Sequence, residues 1–160
     1  MTTTPQSHSL RALRAAWSTL AAPELTGFEG DFQASFIGGP LRATAPRGLA
    51  LVGLPRWYGK RFAPPRPGAD VLQGVNLLNA RNGGGLEETL PMTATIGASL
   101  ADGKPALVVA YSADSPMPWR WVRDEFRVWS PGTFLGMTFV DLPPARRAGG
   151  TPFMLARASS

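Results

Sequence analysis

Residues 89–100 read "TLPMTATIGASL", and the turn "ADG" at 101–103 joins them to "KPALVVAYS" at 104–112. In the first run Leu90, Met92, Ala94, Ile96, Ala98 and Leu100 occupy every second position, with Thr89, Thr93, Thr95 and Ser99 between them. A period of two puts the apolar set on one face of a pleated strand and the hydroxyls on the other. A short glycine-containing turn between two such runs is a hairpin signal. The predicted unit is a pair of antiparallel strands with one face buried.

The same pattern recurs outward from this hairpin. Strands are predicted at 31–36, 49–54, 57–62, 71–79, 119–129, 133–141 and 152–158. They are separated by "IGGP", "APRG", "PPRPGAD", "RNGGG", "SADSPMP", "SPG" and "LPPARRAGG". The 18 glycines and 16 prolines supply many turns and argue against long helices. About eight to ten short strands with brief connections predict a mainly β fold, an antiparallel up-and-down β-barrel. Closing the sheet removes its edges and can leave space inside for one small ligand. One helix is predicted, from Ser7 to about Leu20, because Leu10, Leu13, Trp17 and Leu20 are spaced three, four and three apart. Ser7 or Ser9 is its candidate N-cap, and "AAPEL" stops it. With only Arg11 and Arg14 on its polar side, it is expected to pack on the domain, closing one end, rather than to lie on a membrane. Residues 1–6 read as a flexible leader and 7–160 as a single barrel domain.

Composition excludes several functions. A hydrophobic share of 44% with 17% charged residues describes a folded chain. The absence of cysteine removes disulfides, thiolate metal sites and cysteine nucleophiles. His8, the one histidine, falls near the polar leader and leaves no histidine for a catalytic triad or a haem ligand in the barrel. The net charge of +5 comes from dispersed arginines, without a basic helix or a basic run interleaved with aromatics, so nucleic-acid binding is not expected. No apolar run approaches the ~20 residues of a membrane span, and residues 1–9 lack a signal-peptide core, which predicts a cytoplasmic protein. "NARNGGG" at 79–85 lacks the GK[ST] of a phosphate loop, the serines lack a nucleophile-elbow motif, and the acids form no metal set.

Two stretches can carry chemistry. In "WYGKRF", a strand over 57–62 places Trp57, Gly59 and Arg61 on one face and Tyr58, Lys60 and Phe62 on the other. Lys60 and Arg61 therefore part company, one outside and one near the cavity rim. Each is either a surface cation beside a ring or a carboxylate, or an anchor for an anionic ligand. In "WRWVRDEFRVW", odd positions hold Trp119, Trp121, Arg123, Glu125, Arg127 and Trp129, and even positions hold Arg120, Val122, Asp124, Phe126 and Val128. Neither face is purely apolar. Buried charges need partners, and Asp124 and Glu125 are the local ones. An interior polar cluster and an outer salt-bridge ladder both fit these letters. Tyr111, with Leu107 and Val109, lies on an apolar face where its hydroxyl is either satisfied in the core or directed into a cavity.

Taken with "LTGFEGDF" at 25–32, "PRWYGKRF" at 55–62 and "DEFRVWSPGTFLGM" at 124–137 resemble the GXWXG-motif family of small bacterial proteins of unknown function. Trp57, Gly59, Lys60, Arg61 and Phe62 match its W-x-G-K-R-F pattern, and Asp124, Phe126, Arg127, Leu135 and Gly136 match its later motif. The naming motif is degraded, with Thr26 and Phe28 in place of its first glycine and its tryptophan. The resemblance implies a calycin-like barrel related to lipocalins, fatty-acid-binding proteins and nitrobindins. Haem held through histidine is not implied, and no cofactor is expected.

These readings predict a barrel that binds a small hydrophobic or amphipathic, anionic molecule, with Trp57, Tyr58, Lys60, Arg61, Tyr111, Trp121, Arg123 and Arg127 as ligand-binding residues. The alternative is a cofactor-independent isomerase, cyclase or hydrolase, with Asp124 or Glu125 carrying a proton and Tyr58, Tyr111 or Arg127 polarising a carbonyl. A third reading is an interaction module presenting Trp119, Trp121 or Trp129, and a homodimer is a candidate assembly.

Overall fold

Eight strands pair antiparallel in chain order, and the last closes on the first. They are β1 (Gly30–Phe36), β2 (Trp57–Phe62), β3 (Leu72–Asn79), β4 (Leu86–Ala98), β5 (Pro105–Tyr111), β6 (Val122–Ser130), β7 (Thr133–Val140) and β8 (Thr151–Arg157). The computed structural model describes residues 8–146 and 149–159, so the expected leader at 1–6 lies outside them. The hairpin that anchors the sequence reading is β4–β5, with Met92 opposite Tyr111 and Ala94 opposite Val109. Its alternation holds inside the barrel, where Met92 and Ala94 are buried, and lapses at Ile96, which is 45% exposed. Pairing of β3 with β4 begins at Leu72 and Ala94, so Ile96 projects beyond the rim without a β3 neighbour. Between β1 and β2 the backbones approach so closely that a Cβ on Gly59 would sit 1.9 Å from the Phe32 carbonyl oxygen. Only glycine fits there.

The predicted strand at 49–54 is a correction. That segment ends α2 (Gly39–Leu51), a second helix that also absorbs the turns expected at "IGGP" and "APRG". Both edges of β1 are taken, by β2 and β8, and both edges of β2, by β1 and β3, so the closed sheet offers no edge to another strand. The chain between β1 and β2 instead satisfies its own backbone as a helix across one mouth of the barrel. Leu41, Ala45 and Leu49, four apart, are its half-buried positions, while Leu51 is 89% exposed. A one-turn helix, α3 (Pro143–Arg146), lies between β7 and β8. Residues Trp119–Trp121, expected to begin a strand, form a 3₁₀ turn that leads into β6.

The N-terminal helix α1 (Leu10–Trp17) is present, with the Ser9 hydroxyl accepting from the Ala12 amide at 3.2 Å. It covers the outer wall rather than an end. Leu13 and Trp17 are buried against Leu135, Met137, Phe139 and Met154, the outward residues of β7 and β8. Arg127, on the outer face of β6 and fully buried, ties this helix down. Its guanidinium donates to the Trp17 carbonyl at 2.7 Å, to both Asp102 oxygens at 2.7 and 2.8 Å, and to the Lys104 and Pro105 carbonyls at 3.0 Å. Its Cζ lies 4.5 Å from the Trp17 ring centroid. Arg127 was expected at the ligand; its side chain is instead used up in joining α1 to the β4–β5 turn.

Removing it leaves the Asp102 carboxylate without its counter-ion, with only the Lys104 amide still donating to it, and takes one donor from each of three carbonyls. Arg127→Met is expected to cost about 3–5 kcal/mol of unfolding free energy, and Arg127→Lys to recover only part, because a single ammonium cannot span the fork. Urea titration followed by circular dichroism measures both.

Candidate functional site

The barrel interior has two unlike halves. At the end where β1 begins, the Phe28 ring enters between the strands and meets Phe32, Phe62, Phe126 and Phe134 at centroid distances of 4.9, 5.1, 5.5 and 4.7 Å. Phe153 adds an edge contact to Phe126 at 5.5 Å. This half is filled by aromatic carbon. At the other end, beneath α2, a small cavity of about 60 Å³ remains, bordered by Phe36, Leu49, Leu54, Trp57, Trp119 and Val122. That is room for about two water molecules.

Between the halves runs a polar layer to which six consecutive strands each give one side chain: Lys60 from β2, Asn76 from β3, Met92 from β4, Tyr111 from β5, Asp124 from β6 and Thr138 from β7. β2 and β6 stand four strands apart in a ring of eight, on opposite walls. The Lys60 ammonium spans that gap to the Asp124 carboxylate at 2.9 Å. It also donates to the Tyr111 hydroxyl at 2.9 Å and to Asn76 Oδ1 at 3.3 Å, and touches Met92 Sδ at 3.6 Å. Thr138 donates to the second Asp124 oxygen at 2.7 Å, and the Trp57 indole donates to Asn76 Oδ1 at 3.0 Å. The Tyr111 hydroxyl lies 3.5 Å from Asp124. Every charge in the layer has a partner, as burial requires.

Burial alone would push the Lys60 ammonium toward deprotonation. Asp124 and the Tyr111 hydroxyl outweigh it and raise its pKa to about 12. Burial also raises the Tyr111 phenol above its usual range, with Lys60 partly opposing. At neutral pH the layer therefore holds a charged amine and a neutral phenol.

The predicted site residues divide by face. Lys60, Tyr111 and Asp124 meet at the floor of the cavity, and Trp57 joins them. A bulge at Tyr58 turns Trp57 to the same side as Lys60, so Tyr58 becomes the extra residue of β2 and lies outside the cavity wall. Arg61 points outward, bound to Asp31 at 2.6 and 2.8 Å and to Glu88 at 2.6 Å. Lys60 and Arg61 thus part as the alternation requires, with Lys60 the inner cation. On β6 the even set faces in and the odd set faces out. Glu125 and Arg123 pair on the outer wall at 2.8 Å, away from the cavity, while Trp121 lies in the 3₁₀ turn before β6 with the Arg120 guanidinium near its ring. The interior cluster and the outer ladder both exist, on opposite faces of one strand.

Sequence reasoning missed Asn76, Met92, Thr138 and Trp119 as members of the site. Asn76 carried a usable signal, as a lone amide among the apolar residues of "VNLL". Trp119 donates its indole hydrogen to the Val52 carbonyl at 2.7 Å and lies 5.4 Å from the Tyr111 ring. A larger concavity of about 650 Å³ opens on the outer wall near Arg61, Asp31, Glu88 and Pro91. It is an open groove on the surface, where Arg61 is paired with both neighbouring acids, whereas the interior cluster is buried beneath apolar walls. Among the described residues no three His, Cys, Asp or Glu side chains are grouped to hold a metal, and no helix is long and apolar enough to cross a membrane.

Topology and interior define the class: an eight-stranded, antiparallel, up-and-down barrel with a polar layer across its interior. A crystal structure of a protein from Thermomonospora curvata has the same fold, with a TM-score of 0.66 at 16% identity over 95% of this chain and 89% of that one. No family model matches the chain. No curated protein matches it either.

The raised Lys60 and Tyr111 pKa values set a sign for stability. Groups whose folded pKa exceeds the unfolded value stabilise fully below the unfolded pKa, and that contribution is lost as pH rises through the folded one. For Lys60 the window runs from the ordinary 10.5 to about 12, and Tyr111 acts in the same direction. Urea unfolding free energies are expected to fall across this window in the native chain, and less steeply in a Lys60→Met/Asp124→Asn double variant.

Proposed function

We propose that this barrel binds a small, mainly hydrophobic molecule carrying an anionic group, held between the polar layer and α2. One observation carries the reading: of the two fully buried cations among the described residues, Lys60 and Arg127, it is Lys60 that faces the interior, at the floor of a cavity walled by aromatic and aliphatic side chains. Apolar walls with a few convergent polar groups are the usual make-up of a ligand site. An anion arriving there competes with Asp124 for the Lys60 ammonium and accepts from the Tyr111 hydroxyl. The resemblance to the GXWXG-motif family and its lipocalin-like relatives belongs to this proposal. Its two better-matched motifs supply Lys60 and Asp124, the two ends of the interior ion pair. A carbonyl-directed enzyme is the second reading, favoured by a phenol that stays protonated beside a charged amine; turnover that Tyr111→Phe abolishes while binding persists would distinguish it.

Titrating fatty acids and aromatic carboxylates against intrinsic tryptophan fluorescence tests the ligand reading, because Trp57 and Trp119 both border the cavity. Saturable quenching is expected. Lys60→Met/Asp124→Asn, which removes both charges together, is expected to weaken carboxylates about tenfold or more while leaving the matching amides within about twofold. Silence across the panel, or equal losses for carboxylates and amides, would sink the proposal.

A further inference from the structure

A cavity of about 60 Å³ admits no organic molecule of the proposed kind, so any such ligand needs the roof to move. The roof is α2, and its construction differs from that of the wall. None of its residues with a described side chain is fully buried, and its half-buried stripe is limited to Leu41, Ala45 and Leu49. Pro46 inside the helix removes one backbone donor, and Gly48 lowers helix propensity further. Glycines with positive φ flank it on both sides, Gly38 at +88° and Gly53 at +96°, giving the chain swivel points that other residues rarely supply. No side-chain cap fixes its start, which Gly38 occupies. At its end the Val52 carbonyl accepts the Trp119 indole hydrogen at 2.7 Å.

We infer that α2 is a hinged lid over the barrel mouth, pivoting at Gly38 and Gly53, and that Trp119 is its latch. The same Trp119 ring packs against Tyr111, whose hydroxyl belongs to the polar layer. Displacement of the Tyr111 ring by a ligand therefore disturbs the ring that holds the lid. The inference deepens the ligand reading by giving the site its gate, yet lid opening is measurable with no ligand present.

The chain has no cysteine, so a single introduced thiol reports its own exposure. Val122, 8% exposed, borders the cavity beneath the lid; Val109, fully buried, faces the barrel interior away from it. Modification by N-ethylmaleimide is expected to be much faster for Val122→Cys than for Val109→Cys, and independent of low urea for the former. Adding Trp119→Phe, which keeps a ring and loses the donor, is expected to accelerate Val122→Cys about fivefold and leave Val109→Cys unchanged. Should Trp119→Phe fail to fold by circular dichroism, the urea dependence of the two thiols in the native background decides alone, supported by hydrogen exchange of the 39–51 amides. Equal rates at both thiols with the same urea dependence mean exposure only by global unfolding and overturn the lid. Val122→Cys modification that Trp119→Phe accelerates, without binding of any tested carboxylate, would keep the lid and reject the ligand.

Discussion

The Lys60–Asp124 pair joins opposite walls of the barrel, and the interior is organised around it. Two isolated charges in such a setting are far too costly to bury, so the pair exists only because closure brings β2 and β6 face to face across a narrow lumen. It also constrains the register. A one-residue slip of β2 would turn Lys60 to the outside and place Arg61 within, where Asp124 alone could not satisfy a guanidinium fork. Asn76, Tyr111 and Thr138 supply the remaining hydrogen bonds, so no member of the layer is left unsatisfied.

That layer divides the lumen between packing and space. Below it, Phe28 and its ring partners fill the lumen with aromatic carbon. Above it, the covering helix buries no side chain fully among those described. A barrel that only needed to be stable would gain from an apolar helix with buried anchors across its mouth. Here the covering helix carries a proline, is flanked by two positive-φ glycines, and is tied by the Trp119 indole at its end and by Arg42 to the Phe36 carbonyl near its start, over a floor that contains a charged amine. Buried aromatic packing is concentrated in one half, and the other half is covered by a helix with no fully buried side chain among those described.

The outer wall answers a different need. β6 alternates charge and bulk on both faces, and its outward charges are covered by α1 and the β4–β5 turn. Arg127 makes this possible by satisfying Asp102 and three carbonyls with one guanidinium. A lysine could not do this, since its point charge lacks the planar fork. The residue looks like a ligand contact by its letters and acts as a knot by its position.

Much of the barrel was legible in the residues. The period of two in 89–98, the glycine turns and the helical stripe at Leu10, Leu13 and Trp17 dictate strands, hairpins and one amphipathic helix through local geometry alone. The alternation in "WYGKRF" settled that Lys60 and Arg61 face opposite ways, and the same rule separated Asp124 from Glu125. Which face is the inside was beyond its reach, because both faces of β2 and of β6 carry charge and rings. So was the fate of 49–54, where an apolar run became part of a helix once every neighbouring strand edge was taken. Closure decided these points: it chose the partners of each charge from strands far apart in sequence, and side chains four strands away have no periodic relation that a linear pattern can record.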